Sequence, residues 1–114
     1  YLLTRLVGPA QARELYLLDD RIEATRALAI GLVNRVVPDA ALEGETQALA
    51  ARLSHGPTGA YAAMKRNLNA AETLTLEETI ALEAPANARA SLSHDGKEAA
   101  RAFIEKRPPR FRGA

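Results

Sequence analysis

The chain has 114 residues, enough for one domain at most, and a chain of this size buries about two-thirds of its unfolded surface. Its formal net charge is only +1 with both signs interspersed, which argues against a general affinity for nucleic acids or for acidic partners. It contains no cysteine, so disulfide and thiol chemistry are excluded, and we expect a reducing, cytoplasmic location.

Apolar residues make up 47% of the chain, but aromatic residues only 4%, and 24 residues are alanine. A core of such small side chains lets helices approach closely, yet each contact buries little area at roughly 25 cal/mol per Å². We therefore expect a helical body that needs a partner surface. Charged residues break every apolar run well before the roughly 18 residues of a membrane span. The first residue is Tyr1 rather than methionine, and we expect the chain to be a piece of a longer protein.

The first predicted elements are short helices separated by glycines. Residues 1–6 favour a short helix ending near Gly8, and Pro9 is well placed as the first residue of a second helix, to about residue 18. Residues 22–30 predict a third helix, which Gly31 ends. The valine-rich residues 33–37 then predict a partly buried extended segment, closed by a proline.

Two longer helices are predicted next. Asp39 is a candidate N-cap for the first of them, and Gly44 is an interior residue that costs roughly 1 kcal/mol relative to alanine. Gly56 and Pro57 mark the boundary to the second. The apolar faces of the two helices are predicted at Leu42, Leu49, Leu53, Tyr61, Met64 and Leu68.

Thr75 and Glu78 form a capping box, in which each side chain accepts a hydrogen bond from the other residue's backbone amide, so a helix is predicted from residue 76. Pro85 lacks an amide proton and is expected to kink or interrupt that helix. A similar pair, Asp95 and Glu98, predicts the start of a last helix. Residues 108 and 109 are prolines that should end it, leaving a short tail.

No catalytic constellation is visible in the residues themselves. His55 and His94 lie at predicted helix boundaries without the spacing of a metal site, so structural or solvent-exposed roles are the simpler interpretation. Ser93, His94 and Asp95 are consecutive and cannot adopt the geometry of a nucleophile, a base and its orienting acid. We accordingly assign no catalytic residue and no metal ligand to this chain.

Three stretches in order match one known pattern. The first stretch contains Leu3, Arg5, Val7 and Gly8. The central one contains Arg21, Ile22, Ala24, Ala27, Gly31, Leu32, Val33, Val36 and Val37. The last contains Asp95, Glu98, Ala102, Phe103, Glu105, Lys106, Arg107, Pro109 and Phe111. Together they resemble the C-terminal region of the enoyl-CoA hydratase/isomerase (crotonase) superfamily. The sequence departs from the usual pattern at Thr4, Thr25, Arg26, Gly96 and Ala99.

The resemblance implies a mainly α structure: the C-terminal helical cap and trimerisation part of a crotonase-like ββα-spiral fold, whose spiral core is missing from this chain. Residues 1–38 would lie next to that core and residues 39–114 would form the trimerisation part. The family's oxyanion hole and proton-shuttling acids lie upstream of the matched region, so the chain alone is expected to be inactive. The implied partners are an acyl-CoA substrate and further copies of the chain in a trimer or hexamer, without nucleic acid, membrane or a separate cofactor.

Two residues are implied as coenzyme A contacts, Phe103 and Lys106, because the last helix of the family places an aromatic residue and a lysine near the CoA of a neighbouring subunit. An ammonium suits the CoA phosphates, and a ring suits the adenine or the pantetheine. The pattern alone favours a core role in the last helix for Phe103 and a solvated position at a helix C-terminus for Lys106; the resemblance makes the CoA roles comparable alternatives.

Hydration of a 2-enoyl-CoA through a stabilised thioester enolate is the function expected of the complete enzyme, with isomerisation or another crotonase-type reaction as an alternative. A second alternative is a non-catalytic helical oligomerisation module. The third is nucleic-acid binding through the tail, which is the weakest because its basic residues form one short run: Lys106, Arg107, Arg110 and Arg112.

Overall fold

A computed structural model describes residues 1–114 and contains six α-helices and no β-strand. The residues fall into two compact units, 1–44 and 45–114, and the boundary between them lies within the third helix. The helices are α1 (Leu2–Leu18), α2 (Ala24–Ala29), α3 (Asp39–Ser54), α4 (Thr58–Ala71), α5 (Leu76–Leu92) and α6 (His94–Ile104). The mainly α fold class is thus confirmed.

Helix α1 is broken at Gly8, where φ is +79° and ψ is 164°, outside the helical region. A residue with a β-carbon is strained at such a positive φ, so glycine suits the break, and Pro9 resumes the helix behind it. The predicted end of one helix near Gly8 and start of another at Pro9 is therefore confirmed. Asp19 ends α1 in the left-handed conformation, with φ +52°.

Helix α2 is held to α1 by the guanidinium of Arg26, which donates hydrogen bonds to Glu14 Oε1 at 2.7 Å and to Gln11 Oε1 at 3.1 Å. The chain leaves α2 through Gly31, which has φ +75° as the predicted glycine stop requires. The valine-rich residues 33–37 follow without forming a strand, and Val33 and Val36 are exposed. At 38% and 37% exposure these two valines are still partly covered, and Val37 is more so, in agreement with the predicted partial burial.

Helices α3 and α4 begin at the two predicted boundaries. Asp39 is the first helical residue of α3 rather than its N-cap, and Gly44 lies in the interior of that helix. Pro57 is the N-cap residue of α4. The ring of Tyr61 lies against Gly56, where a side chain on residue 56 would collide with it. Glycine at position 56 therefore leaves room for the Tyr61 ring.

Helix α5 begins with the predicted capping box: the Thr75 amide donates to Glu78 Oε2 at 2.8 Å, and the Glu78 amide donates to Thr75 Oγ1 at 3.3 Å. The hydrogen bonds from Thr75 lower the pKa of the Glu78 carboxyl below its usual value. Pro85 lies inside this helix, which continues to Leu92. The prediction that Pro85 interrupts the helix is wrong, although the Ala81 carbonyl still lacks an amide donor at residue 85.

Helix α6 is capped by Ser93, whose Oγ accepts a hydrogen bond from the Gly96 amide at 3.0 Å. The prediction that Asp95 and Glu98 form the capping pair is wrong, because both carboxylates bind the C-terminal tail instead. The helix also ends earlier than the prolines at 108 and 109, at Ile104. Helix α5 packs against both α4 and α6.

Very little of the chain is fully buried. The buried apolar residues are Ala12, Ala27, Ala86 and Ala102, and no large side chain is less than 2% exposed. The apolar faces predicted for α3 and α4 are exposed at Leu42, Leu49, Leu53, Tyr61, Met64 and Leu68. The small-residue packing matches the alanine-rich composition. None of the six helices combines the length and apolarity required to cross a bilayer.

Candidate functional site

The end of α6 is a Schellman motif, a helix stop in which two amides beyond the helix bond back to its last turn. The Lys106 amide donates to the Phe103 carbonyl at 3.2 Å, and the Arg107 amide donates to the Ala102 carbonyl at 3.0 Å. Lys106 occupies the left-handed position of this motif with φ +53°. Glycine is the usual residue there, so the lysine is held in a conformation that is strained for a residue with a β-carbon.

An ion pair anchors the residue that follows. Arg107 donates from Nη1 to Glu98 Oε1 at 2.6 Å and from Nη2 to Glu98 Oε2 at 3.0 Å, and its Nε donates to Glu105. The Glu98 side chain is only 12% exposed. This hydrogen bond with Arg107, joined by one from the Arg110 amide, outweighs burial and lowers the pKa of Glu98 to about 2. The two carboxylates raise the pKa of the Arg107 guanidinium.

The C-terminal tail, residues 108–114, folds back along α6. The Arg110 amide donates to Glu98 Oε1 at 2.9 Å, and the Arg112 and Gly113 amides donate to the two oxygens of Asp95, each at 2.8 Å. In return, the Asp95 amide donates to the carbonyl of Ala114 at 2.8 Å. The tail is therefore attached to the helix by backbone hydrogen bonds on two acidic side chains.

Asp95 is the one buried charged residue of the chain, at 5% exposure. Burial raises the pKa of its carboxyl, but the Arg112 amide, the His94 ring and the Gly113 amide together lower that pKa below the usual value. The His94 Nδ1 lies 3.2 Å from Asp95 Oδ1. Because every polar contact of Asp95 is to the tail or to its own helix start, the carboxylate has a structural role here.

The two residues predicted as CoA contacts lie at this same end of α6. Phe103 is in the last helical turn and its side chain is 85% exposed, which is inconsistent with a role in the core of this chain. Lys106 is exposed three residues later and makes no ion pair within the chain. The structure thus brings an exposed aromatic ring and an exposed ammonium to one helix end.

A groove of about 440 Å³ lies beside the tail, between α4, α5 and α6. Most of its lining is apolar and small, with Arg66 and Arg89 among the residues around it. Phe111 and Ala114 of the tail form part of the wall, so the groove depends on the tail being docked. Its remaining lining residues are Pro57, Gly59, Ala60, Ala63, Ala86, Ala90, Ser91, Ser93, Asp95, Gly96 and Ala99.

His55 and Ser93 make only local contacts. His55 Nδ1 lies 2.7 Å from the Ala51 carbonyl in its own helix end, and Ser93 caps α6. No group of three or more histidine, cysteine, aspartate or glutamate side chains is placed to hold a metal ion. Within the basic run at the end of the chain, Arg107 is neutralised by Glu98 and Glu105.

Sequence reasoning missed the anchoring role of Asp95 and Glu98. The sequence pattern places both residues at the helix start, whereas their partners lie 9 to 18 residues later in the chain. Two signals were available: a glutamate followed by an arginine beyond the helix end, and a tail too polar and proline-rich to continue the helix. Neither signal alone specifies that backbone amides are the donors.

A family model described as enoyl-CoA hydratase/isomerase matches residues 1–114. A probable enoyl-CoA hydratase of Rhodobacter capsulatus is 40% identical over 111 residues, covering 97% of this chain and 43% of that protein. The 1,2-epoxyphenylacetyl-CoA isomerase of Escherichia coli is 37% identical over 113 residues, covering 99% of this chain and 43% of that protein.

Among solved structures, a putative enoyl-CoA hydratase/isomerase from Mycobacterium abscessus superimposes with a TM-score of 0.95 at 35% identity. The superposition covers 98% of this chain and 43% of that one. The chain therefore spans less than half the length of the relatives it matches.

Proposed function

The chain belongs to the enoyl-CoA hydratase/isomerase family, in which it corresponds to the helical C-terminal part of the crotonase fold, and we propose that it is part of an acyl-CoA-processing enzyme. The proposed reaction is the addition of water to a 2-enoyl-CoA, with hydroxyl added at C3 and a proton at C2 of the thioester. This chain supplies assembly and closure of the CoA pocket, and residues outside it supply the oxyanion hole and the acids that move protons. The proposed location is the cytoplasm.

The proposed CoA contact consists of Phe103 and Lys106. The observation that carries it is the exposure of the Phe103 ring, 85%, beside a lysine held in a left-handed conformation at the same helix end. Burying a ring of this size against an adenine or pantetheine group would stabilise the bound state. A lysine ammonium without a carboxylate partner is suited to a phosphate.

The experiment is a steady-state measurement on the complete enzyme that contains this chain. Lys106→Ala should raise the KM for crotonyl-CoA about fivefold, because an exposed charge contact contributes about 1 kcal/mol. The KM for crotonyl-pantetheine, which lacks the phosphates and the adenine, should not change. Lys97→Ala is the matched control, since Lys97 is an exposed lysine within α6, away from the helix end that carries Lys106. An unchanged KM for crotonyl-CoA in Lys106→Ala would refute the proposed contact.

Isomerisation of the double bond is the second candidate reaction, favoured by the 32% identity over 113 residues to the trans-2-decenoyl-[acyl-carrier-protein] isomerase of Streptococcus mutans. Assays of the complete enzyme with 2-enoyl-CoA and 3-enoyl-CoA substrates distinguish the two reactions. The 114-residue chain alone is expected to show no hydration of crotonyl-CoA.

A non-catalytic assembly module is the remaining candidate, and the exposed apolar faces of α3 and α4 favour it. It predicts a stable oligomer of the chain without measurable affinity for CoA. In the proposed enzyme the same faces contribute to a trimer or hexamer, and calorimetric titration with CoA separates the two cases.

A further inference from the structure

We infer that Glu98 is a positioning residue for Lys106: by holding Arg107, it fixes the backbone at the end of α6 so that the lysine leaves the helix in one conformation suited to an anion. The inference rests on the proposed contact between Lys106 and coenzyme A. Glu98 itself is not proposed to touch the substrate, and its effect on Lys106 runs through the pairing with Arg107.

The backbone geometry of Lys106 requires such support. Of the two non-glycine residues with positive φ, the other is Asp19, and aspartate tolerates the left-handed region better than lysine does. A strained residue of this kind persists where neighbouring contacts fix it on both sides. Lys106 is flanked by Glu105 and Arg107, which are bonded to each other, and Arg107 is bonded in turn to Glu98.

The network that links Lys106 to Glu98 through Arg107 is rigid at Glu98. Glu98 lies in the middle of α6 and is only 12% exposed, and its carboxylate receives both Arg107 guanidinium bonds and the Arg110 amide. Paired, parallel hydrogen bonds fix the plane of a guanidinium, which a single bond does not. The residue after Lys106 is thereby fixed in place with respect to the helix axis.

The distribution of charges at the end of α6 also supports a role for Lys106 in binding an anion. Glu98 and Glu105 both form ion pairs with Arg107, and neither forms one with Lys106. The arrangement therefore leaves the lysine ammonium without a carboxylate partner, at the helix end that also carries the exposed Phe103 ring. An anion supplied by a ligand, such as a CoA phosphate, would complete it.

The test compares Glu98→Gln, Lys106→Ala and the double variant in the complete enzyme, each with crotonyl-CoA and with crotonyl-pantetheine. Glu98→Gln should raise the KM for crotonyl-CoA about threefold without changing kcat, and should leave the KM for crotonyl-pantetheine unchanged. In the Lys106→Ala background the same change should have no further effect, because the group it positions is gone. Glu98→Asp, which keeps the charge, should lie between the wild type and Glu98→Gln.

Glu14→Gln is the matched control, because Glu14 of α1 is likewise the carboxylate partner of an arginine, Arg26 of α2. It should leave both KM values unchanged. If the Glu98→Gln variant does not fold, Arg107→Lys is tested instead, with the same comparison of the KM values for crotonyl-CoA and crotonyl-pantetheine. Lysine keeps the charge but loses the parallel hydrogen bonds.

The possible results separate the two proposals. If Lys106→Ala raises the KM for crotonyl-CoA and Glu98→Gln does not, the positioning role is overturned and the CoA contact stands. If Glu98→Gln acts equally on both substrates, or acts equally with and without Lys106, its role is only structural and the inference fails. If Lys106→Ala has no effect, the CoA contact itself is wrong and the inference falls with it.

Discussion

Gly96 of α6 lies directly against the carbonyl oxygen of Ala90 in α5, so close that a β-carbon on residue 96 would overlap it. The same β-carbon would lie 2.7 Å from the Ser91 carbonyl oxygen. Both obstacles are backbone atoms, which cannot rotate away as the end of a side chain can. The two helices therefore meet at a contact that only glycine permits.

Gly96→Ala should destabilise the protein by about 1 to 3 kcal/mol, as expected for overpacking at a close backbone contact. Gly44→Ala is the control, since a β-carbon on Gly44 would meet nothing within 4 Å. That change, in the interior of α3, should instead stabilise the protein by roughly 1 kcal/mol through helix propensity. Urea denaturation measures both, and a shift of the same sign for the two variants would contradict the contact.

The docking of the tail should weaken in acid. The pKa of Glu98 is about 2 in the folded chain against an ordinary 4.5, so the folded state favours the ionised carboxylate. Its contribution to stability is fully present above about pH 4.5 and is lost as the pH falls toward 2. The lowered pKa of Asp95 acts in the same direction.

The carboxyl carbon shift of Glu98 and the amide shift of Arg110, followed by NMR, test this expectation. Both should titrate together with a midpoint near 2, the value given by the pairing with Arg107. In Glu98→Gln the amide of Arg110 should lose that transition. A Glu98 midpoint at its ordinary value would mean that the ion pair does not hold the tail in solution.

Lys106→Gly should stabilise the protein by about 0.5 to 1 kcal/mol, because glycine adopts the left-handed conformation without strain. Asp19→Gly, at the other left-handed non-glycine position, should give a smaller gain, because aspartate tolerates that region better. Denaturation midpoints of the complete protein measure both changes. The same Lys106→Gly variant should lose affinity for crotonyl-CoA, so stability and the proposed binding move in opposite directions. A loss of stability would indicate that the lysine side chain itself supports the helix end.

The helix boundaries that the sequence predicted correctly depend on neighbouring residues. The break at Gly8, the stop at Gly31 and the capping box of Thr75 and Glu78 each require contacts over four residues or fewer, and all three are confirmed. Pro85 shows the limit of such local rules. Its missing amide costs one hydrogen bond, and the packing of α5 between α4 and α6 overrides that cost.

The site was predicted less well, because its decisive partners are remote in sequence. From the sequence, Asp95 and Glu98 could cap the start of a helix or bind the C-terminal tail. The hydrogen-bond donors that show the second role belong to Arg107, Arg110 and Arg112. The family pattern identified Phe103 and Lys106 as residues of interest. It did not indicate that Lys106 is left-handed or that Arg107 and Glu98 hold it there. That the two residues bind CoA remains a prediction.

The attachment of the tail by main-chain amides has a consequence for which substitutions the protein tolerates. Asp95 and Glu98 bind the N–H groups of residues 110, 112 and 113, and no side chain of those residues takes part in these bonds. At 110 and 112, almost any amino acid supplies the same donor, and proline alone does not. Replacing either arginine by a residue other than proline should therefore keep the tail in place.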